Sequence, residues 1–253
     1  MKDLEGKVVL VTGGSTGIGA AAARAFARQG ARTMIHYNAS REAAAAVMAE
    51  IAGTGGEAQM VGGDVTDLGN VSRVVSETVK KLGRIDVLVN NVGSLVKRTR
   101  VPDYSVELLD EVLAVNVRQL VWFVREASLV MRAQGGGNII NTTSIAARNG
   151  GGPGSVLYAA AKGFVSTATR GWARELAPDR IRVNAVSPGV ILTPFHERFT
   201  TAEQLKAMQA TVPMGRLGEA DECAGTFLYL ASDQLSGYVT GQTVEVNGGQ
   251  WMA

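Results

Sequence analysis

Three side chains in the middle of the chain have the types and order that proton transfer to an alcohol or ketone requires. Ser144 ends an apolar, strand-like run at 138–143, and a Gly-rich segment follows it. Tyr158 and Lys162 come next, four residues apart, so they share one face if 155–178 is helical. A neighbouring ammonium lowers the pKa of a phenol from about 10, which suits a general acid/base near neutral pH. Ser144 would hydrogen-bond the substrate oxygen and orient it.

Taken alone, a Tyr and a Lys at this spacing also describe a half-exposed ring beside a solvated lysine, so a second motif has to decide. Near the N-terminus, 7–12 is a short β-branched run typical of a strand buried on both faces. A Gly-rich turn at 13–19 leads from it into an Ala-rich helix that Gly30 ends. Dinucleotide-binding turns have this context, because glycines let the backbone approach a pyrophosphate and the helix N-terminus offers free N–H groups.

The glycine spacing of this turn, T-G-x-x-x-G-x-G, differs from the usual G-x-G-x-x-G. A plain tight turn between a strand and a helix is the alternative interpretation. Its place in the first strand–turn–helix unit favours cofactor binding. We predict that these turn residues contact the cofactor: Gly13, Ser15, Thr16, Gly17, Ile18 and Gly19.

The end of the second strand, 31–37, lacks the acid with which an NAD-binding unit usually holds the ribose 2′-hydroxyl. No acid comes before Glu42. Nothing there repels a 2′-phosphate, and Ser40 and Arg41 could bind it, the arginine through charge-assisted hydrogen bonds. We therefore predict NADP in preference to NAD, bound by Tyr37, Asn38, Ser40 and Arg41. Ser40 is equally suited to cap the next helix, with Arg41 solvated, and both descriptions can hold together.

Strand-like and helix-like segments alternate along the whole chain. This pattern predicts an α/β, single-domain Rossmann fold over 1–253, with a doubly wound parallel sheet of seven strands and helices on both faces. Asp64 follows the third strand, where an adenine amino group could be bound. The polar turn 90–93 follows the fourth strand, at the sheet edge where ligands collect.

Two further segments have predicted roles around the site. Asn116 lies in a long helical pattern at 103–133, where its amide could bind a water, bend the helix, or be an ordinary core asparagine with partners. A short helix at 200–214, between chain-breaking residues, is interpreted as a substrate lid belonging to the segment 191–214.

Composition limits the other classes of function. The net charge is +2, with scattered Lys and Arg and 6% aromatic residues, so we predict no nucleic-acid surface. Cys223 is the one cysteine, and His36 and His196 lack metal-ligand spacing, so we expect neither an internal disulfide nor a metal site. No apolar run reaches the ~18 residues of a membrane span, and the charged N-terminus is unlike a signal peptide. We expect a cytoplasmic protein.

Together these motifs resemble the short-chain dehydrogenase/reductase family over essentially the whole chain. The matching stretches are, in order, 12–19, 90–93, the set Asn116, Ser144, Tyr158 and Lys162, and 188–193. The resemblance implies hydride transfer between a nicotinamide and a ketone or secondary alcohol. Tyr158 would exchange the proton and Ser144 would polarise the oxygen. Lys162 would lower the pKa of Tyr158 and bind the nicotinamide ribose, and Asn116 would hold a water in a relay to Lys162.

The resemblance also implies the remaining cofactor contacts and the assembly. Asp64 and Val65 would flank the adenine, and Asn90, in one turn with Gly93, would contact the ribose region. The nicotinamide end would be held by Pro188, Gly189, Ile191 and Thr193. Family members are mostly homotetramers that pair through two long helices, here near 103–133 and 156–177, and through the C-terminal strand. No metal takes part in their chemistry.

Within the family, the segments I-H-Y-N-A-S-R-E and T-G-Q-T-V-E-V-N-G-G are most similar to 3-oxoacyl-[acyl-carrier-protein] reductases. Val92 replaces the usual Ala of N-N-A-G, and the Gly-rich loop before Tyr158 is one residue longer. The stretch before the fifth strand, M-R-A-Q-G-G-G, carries only Arg132, whereas such reductases have basic residues there to dock an acidic carrier. An acyl carrier protein is therefore a doubtful partner, and a small-molecule ketone or alcohol is the expected substrate.

Three functions are consistent with these residues. The first is an NADP(H)-dependent ketone reductase or secondary alcohol dehydrogenase similar to the 3-oxoacyl reductases. The second is an NAD-dependent sugar or polyol dehydrogenase, which the missing acid after the second strand disfavours. The third is a non-catalytic NADP-binding sensor or scaffold, which would not need the whole Ser/Tyr/Lys set. Apolar side chains in the loops 94–102 and 148–156 and in the segment 191–214 indicate a partly hydrophobic substrate.

Overall fold

Short apolar and β-branched runs form the strands of the computed structural model, which describes residues 1–252. The strands are β1 (Val8–Val11), β2 (Arg32–Tyr37), β3 (Glu57–Gly62), β4 (Val87–Asn90), β5 (Gly137–Thr142), β6 (Ile181–Pro188), β7 (Ile191–Leu192), β8 (Gly218–Glu219) and β9 (Thr243–Val246). Seven of them form a parallel sheet in the order β3-β2-β1-β4-β5-β6-β9, and β7 pairs with β8 outside it. The predicted seven-stranded parallel sheet is confirmed.

Helices cover both faces of this sheet. They are α1 (Gly17–Arg28), α2 (Arg41–Gly53), α3 (Leu68–Leu82), α4 (Val106–Leu113), α5 (Gln119–Ala133), α6 (Ala146–Asn149), α7 (Val156–Leu176), α8 (Pro194–Phe199), α9 (Ala202–Gln209), α10 (Ala220–Ala231) and α11 (Asp233–Ser236). One hydrophobic cluster joins α1, α2 and α10 to the sheet, and a second joins α3, α5 and α7 to it. The single doubly wound α/β domain is therefore confirmed.

The first strand explains why a sheet of this kind needs both helical layers. Val9 and Val11 belong to the cluster on one face, whereas Val8 and Leu10 belong to the cluster on the other. All four side chains are fully buried. A run of this kind alternates between the two faces, so leaving either face uncovered would expose half of its apolar side chains.

Two helical segments differ from their predicted shape. The pattern at 103–133 is not one helix, because a π-helical turn, Ala114–Arg118, separates α4 from α5. The segment interpreted as a lid contains two short helices, α8 and α9, instead of one. Pro194 begins α8 and Thr201 caps α9 through its side chain. In residues 1–252 none of the helices has the length and apolarity that crossing a membrane would take.

Candidate active site

The carboxyl ends of the strands open into one cleft of about 880 Å³, which brings most of the predicted site residues together. Turns after β1, β2, β3, β4, β5 and β6 contribute to its lining, as expected for an open parallel sheet. The predicted residues that line it are Gly13, Ser15, Thr16, Gly17, Ile18, Asn38, Ser40, Asp64, Val65, Gly93, Ser144, Tyr158, Lys162, Pro188, Gly189, Ile191 and Thr193. The separated motifs of the sequence thus meet at one place.

The Gly-rich turn has the backbone shape that a diphosphate requires. Gly13 and Gly17 have φ angles of +62° and +53°, where glycine is favoured. Thr16 precedes α1 without a side-chain cap, so the first N–H groups of that helix are open to an anion. Gly19 does not line the cleft. It packs against the turn itself, where an added Cβ would lie 2.2 Å from the carbonyl oxygen of Gly13, so only glycine fits there. The turn therefore fits the diphosphate of a dinucleotide.

Three predicted cofactor residues have side chains that do not line the cleft, and their contact with the cofactor stays a prediction. The ring of Tyr37 packs over Gly62, where an added Cβ would lie within 2.9 Å of it. Arg41 begins α2 as an exposed residue and does not line the cleft. Asn90 is 3% exposed, and its Nδ2 donates to Asn141 Oδ1 at 3.0 Å in the core. Successive strand residues alternate sides, so the next residue, Asn91, faces the cleft instead.

His36, at the end of β2, is a site residue that the sequence reading missed. Its side chain is 1% exposed, and its Nδ1 accepts from the Gly13 N–H at 3.2 Å. The second ring nitrogen lies 2.9 Å from the carbonyl oxygen of Gly63. Burial lowers the pKa of His36, so the ring is neutral and Nε2 carries the hydrogen donated to Gly63. A histidine inside an apolar strand needs hydrogen-bond partners. The position of His36 in the apolar run of β2 was therefore the feature of the sequence that could have identified it.

Lys162 lies on α7, and its ammonium contacts the end of β5. Its Nζ donates to the carbonyl oxygen of Thr142 at 2.8 Å, and the side chain is 3% exposed. The carbonyl oxygen of Lys162 accepts from Thr143 Oγ1 at 2.8 Å, which fixes the helix against the strand end. Burial lowers the pKa of Lys162 to about 8, because the charged form loses hydration.

Tyr158 has a pKa opposite to the predicted direction. Burial raises the pKa of Tyr158 to about 12, and a hydrogen bond with the Ser144 side chain offsets part of this rise. Lys162 Nζ lies 5.7 Å from the centre of the phenol ring, over its face. Burial therefore outweighs the hydrogen bond from Ser144, and Tyr158 is a neutral phenol, which is the proton-donating form.

Asn116 lies within the π-helical turn and ties the loop after β4 to this helix. Its Nδ2 donates to the carbonyl oxygens of Ser94 at 2.8 Å and Val112 at 2.9 Å, and its Oδ1 accepts from the Ser94 N–H at 3.1 Å. Of the three alternatives from the sequence, the structure has the core asparagine whose amide is satisfied by protein partners, here inside a π-helical turn. A π turn of this kind often marks a functional position in a helix.

No metal centre accompanies these residues. Across residues 1–252, His, Cys, Asp and Glu side chains form no group of three that could hold an ion. Cys223 is buried on α10, and burial raises its pKa to about 12, so it is an inert core residue.

Comparison with known proteins agrees with this arrangement. The family model described as Enoyl-(Acyl carrier protein) reductase matches residues 13–250. A 3-oxoacyl-[acyl-carrier-protein] reductase of Synechocystis sp. is 39% identical over 256 residues, covering 100% of both chains. The L-rhamnose 1-dehydrogenase (NAD(P)(+)) of Azotobacter vinelandii is 40% identical and covers 96% of both chains. Among solved structures, the NADH-dependent reductase A1-R′ responsible for alginate metabolism has a TM-score of 0.91 at 34% identity, over 100% of both chains.

The fold, the cleft and these similarities define the class of protein. The chain belongs to the short-chain dehydrogenase/reductase family. Members are oxidoreductases that bind a nicotinamide cofactor and act on CH–OH or C=O groups. Within the family, curated relatives at about 39% identity include 3-oxoacyl-[acyl-carrier-protein] reductases, as the sequence motifs had predicted.

Replacing Gly93 with alanine should displace the lysine without unfolding the protein. The added Cβ would lie 2.9 Å from Lys162 Nζ and 3.1 Å from Asn116 Oδ1, so the flexible end of the lysine would have to move. We expect the rate of ketone reduction to fall by about 100-fold, since a misplacement of about 1 Å costs on this order.

The matched control is Gly163→Ala on α7, where the new Cβ would meet nothing within 4 Å. This variant should keep its activity and gain about 0.5–1 kcal/mol of stability, because alanine favours a helix. Steady-state rates and thermal unfolding midpoints of both variants test the prediction. A Gly93→Ala protein with wild-type rates would contradict it.

Proposed function

We propose that the chain is an NADP(H)-dependent oxidoreductase that interconverts ketones and secondary alcohols. The observation that carries this proposal is the meeting of Ser144, Tyr158 and Lys162 in the same cleft as the Gly-rich turn. These three groups supply a hydrogen-bond donor, a neutral proton donor and a buried cation. Such a set performs proton exchange with a substrate oxygen, which a binding module or a sensor has no need of.

In the reducing direction, the chain's own groups handle the substrate oxygen and its proton. Ser144 donates a hydrogen bond that holds the carbonyl oxygen, and Tyr158 gives its phenolic proton to that oxygen. The ammonium of Lys162 stabilises the phenolate that remains. The nicotinamide, when bound, supplies the hydride to the carbonyl carbon. Asn116 acts as a positioning residue, because its amide holds the Ser94 backbone beside Gly93 and Lys162.

The shape of the cleft at the end of β2 supports NADP. Asn38, Ala39 and Ser40 line it there, and none of them carries a negative charge. Ser40 occupies the N-cap position of α2 but makes no side-chain cap bond, so its hydroxyl is available to a 2′-phosphate. One of the similar solved structures is an NADH-dependent reductase. The preference between NADPH and NADH is therefore tested by substituting Ser40.

A second candidate is a dehydrogenase acting on a sugar, which the likeness to an L-rhamnose 1-dehydrogenase (NAD(P)(+)) favours. Polar side chains at the substrate end, Asn149, Gln204, Thr211 and Gln250, could bind hydroxyl groups. We rank it second because Leu95, Phe195 and Met208 line the same end with apolar surface.

We also propose that α8 and α9 form a lid and that the chain self-associates. Phe195 on α8 lies 5.6 Å from the Tyr158 ring, between ring centres, so this helix covers the reacting end. Val106, Leu129 and Phe164 of α4, α5 and α7 are exposed apolar residues. They suit pairing of long helices between copies, as in a homotetramer.

The Tyr158→Phe substitution, which removes the phenolic oxygen, distinguishes an enzyme from a non-catalytic sensor. Tyr158→Phe should lower the rate of ketone reduction by at least about 1000-fold, since the proton donor is lost, while cofactor affinity stays within about threefold. Initial rates of NADPH and NADH oxidation with free ketones, an acetoacetyl thioester and sugars as the substrate panel measure this, with fluorescence titration for binding. Turnover that survives the substitution would refute the assignment of Tyr158, and a wild-type chain that binds cofactor without any turnover would favour the sensor.

Cofactor choice should depend on Ser40. Ser40→Asp should reduce kcat/KM for NADPH by at least about tenfold, because a carboxylate repels the 2′-phosphate, and change the value for NADH by less than about threefold. Ser40→Asn, which is of the same size without the charge, is the control. A wild-type preference for NADH, or equal losses in the two variants, would argue against NADP.

The pH dependence of reduction should follow Lys162. The ammonium is present below its pKa of about 8 and is lost above it, whereas Tyr158 keeps its proton throughout because its pKa is about 12. The rate should thus fall by about tenfold between pH 7 and pH 9.5, as the cation that stabilises the phenolate disappears.

Lys162→Arg provides the control, because arginine stays protonated over this whole pH range. This variant should be slower at pH 7 but show no inflection near pH 8. Rates in a constant-ionic-strength buffer series test both statements. An identical inflection in the arginine variant would assign it to another group.

A further inference from the structure

The substrate end of the cleft contains a cation without a carboxylate partner. Arg98 lines the cleft from the loop that follows β4. Asp64 is the one carboxylate among the lining residues, and it lies after β3, where its Oδ1 accepts from the N–H and hydroxyl of Thr66. Across residues 1–252, no acidic side chain forms an ion pair with Arg98.

The guanidinium stands where three segments of the substrate end meet. Its Nε donates to the carbonyl oxygen of Phe199, at the end of α8, at 2.7 Å. Its Nη1 donates to the carbonyl oxygen of Pro153, in the Gly-rich loop, at 3.0 Å. Both acceptors are neutral, so the charge of Arg98 remains uncompensated, and Nη2 has no protein acceptor within residues 1–252.

The backbone that presents Arg98 is strained. Val96 has a φ of +64°, which is rare for a β-branched residue. The Ser94 hydroxyl accepts from the Val96 N–H at 3.0 Å and holds this shape. Strained backbone persists where the surrounding structure fixes it, and such positions cluster at ligand sites.

His196 stands beside this cation and adds a second polar group. Its Nδ1 lies 3.0 Å from Thr200 Oγ1, and Nε2 has no protein partner within residues 1–252. Both side chains line the cleft, and Arg98 binds the end of the helix that carries His196. Burial and the charge of Arg98 lower the pKa of His196. Burial also lowers the pKa of Arg98, which reflects a cation held partly out of water. An anion placed between the two side chains would favour their charged forms and so oppose both shifts.

We propose that Arg98 and His196 form a subsite for a carboxylate of the substrate, so that the chain acts on oxo acids and their hydroxy-acid products. This inference rests on the proposed function, because it names the substrate class of the same cleft. The planar guanidinium matches a carboxylate through paired N–H donors. A carboxylate fits a subsite with one permanent cation better than a doubly charged phosphate does, since the second charge would remain unpaired.

Arg98 also joins the lid to the Gly-rich loop, and a purely structural role would affect all substrates alike. The measurement must therefore compare each acid with its neutral ester. We choose 3-oxobutanoate, 4-oxopentanoate and 5-oxohexanoate with their methyl esters, so that the ladder covers several distances between ketone and carboxylate. The best acid should exceed its ester in kcat/KM by at least about tenfold.

Arg98→Gln should lower kcat/KM for that acid by about 10- to 100-fold, the range expected for losing a charge-assisted hydrogen bond, and reduce the acid-to-ester ratio to near one. The matched control is Arg100→Gln, an exposed arginine of the same loop that does not line the cleft. Equal losses for acid and ester in Arg98→Gln would leave a structural role and overturn the carboxylate subsite.

Direct binding separates this inference from the proposed function. Calorimetric titration of the wild-type chain with 4-oxopentanoate, repeated with Arg98→Gln, needs no turnover. Binding that weakens at least about tenfold in the variant supports the subsite even if no ketone is reduced. Binding that is equal in the two proteins, or absent in both, overturns it. A rate gain from the phosphate of acetoacetyl phosphopantetheine over acetoacetyl pantetheine, lost in Arg98→Gln, would assign the cation to a carrier arm and also overturn it.

Discussion

A buried ammonium at the end of β5 is the constraint on which the site depends. Taking the charge of Lys162 out of water is costly unless acceptors surround it. The carbonyl oxygen of Thr142 supplies one at 2.8 Å, and Gly93 leaves room for the ammonium because it has no side chain. The lysine can therefore stay protonated near neutral pH, but only with a pKa lowered to about 8. Its charge is both available to Tyr158 and easily lost.

The helix that carries Tyr158 and Lys162 is held in register by a chain of buried amides. Asn90 at the end of β4 donates to Asn141 Oδ1 on β5 at 3.0 Å, and Asn141 donates to Thr169 Oγ1 on α7 at 2.9 Å. Thr169 lies two turns after the lysine on the same helix, so this chain fixes α7 against the two strands. Asn90 Oδ1 has no partner within residues 1–252, so the network is incomplete at β4. Its two hydrogen bonds still fix the helix that places the two reacting side chains.

Much of this arrangement could be predicted from the sequence because it depends on local patterns. The alternation of apolar strands and helices gave the sheet, and the spacing of Ser144, Tyr158 and Lys162 gave the reacting set. Side-chain directions at the strand ends depend on tertiary contacts, which the sequence pattern does not show. The sequence predicts Tyr37 and Asn90 as cofactor contacts, whereas the Tyr37 ring packs on Gly62 and the Asn90 side chain points into the core. A shift of one residue along a strand reverses the face, and sequence pattern does not set that register at a strand end.

The pKa of Tyr158 was predicted in the wrong direction for a related reason. A neighbouring charge can be read from a spacing of four residues, but loss of hydration depends on what covers the site. The cover comes from Phe195 on α8, about 40 residues away in sequence, whose ring lies 5.6 Å from that of Tyr158. Burial raises the pKa of the phenol and lowers that of the ammonium, because each charged form loses hydration. Contacts between elements that are distant in sequence therefore set the protonation of both groups, and a spacing of four residues does not reveal them.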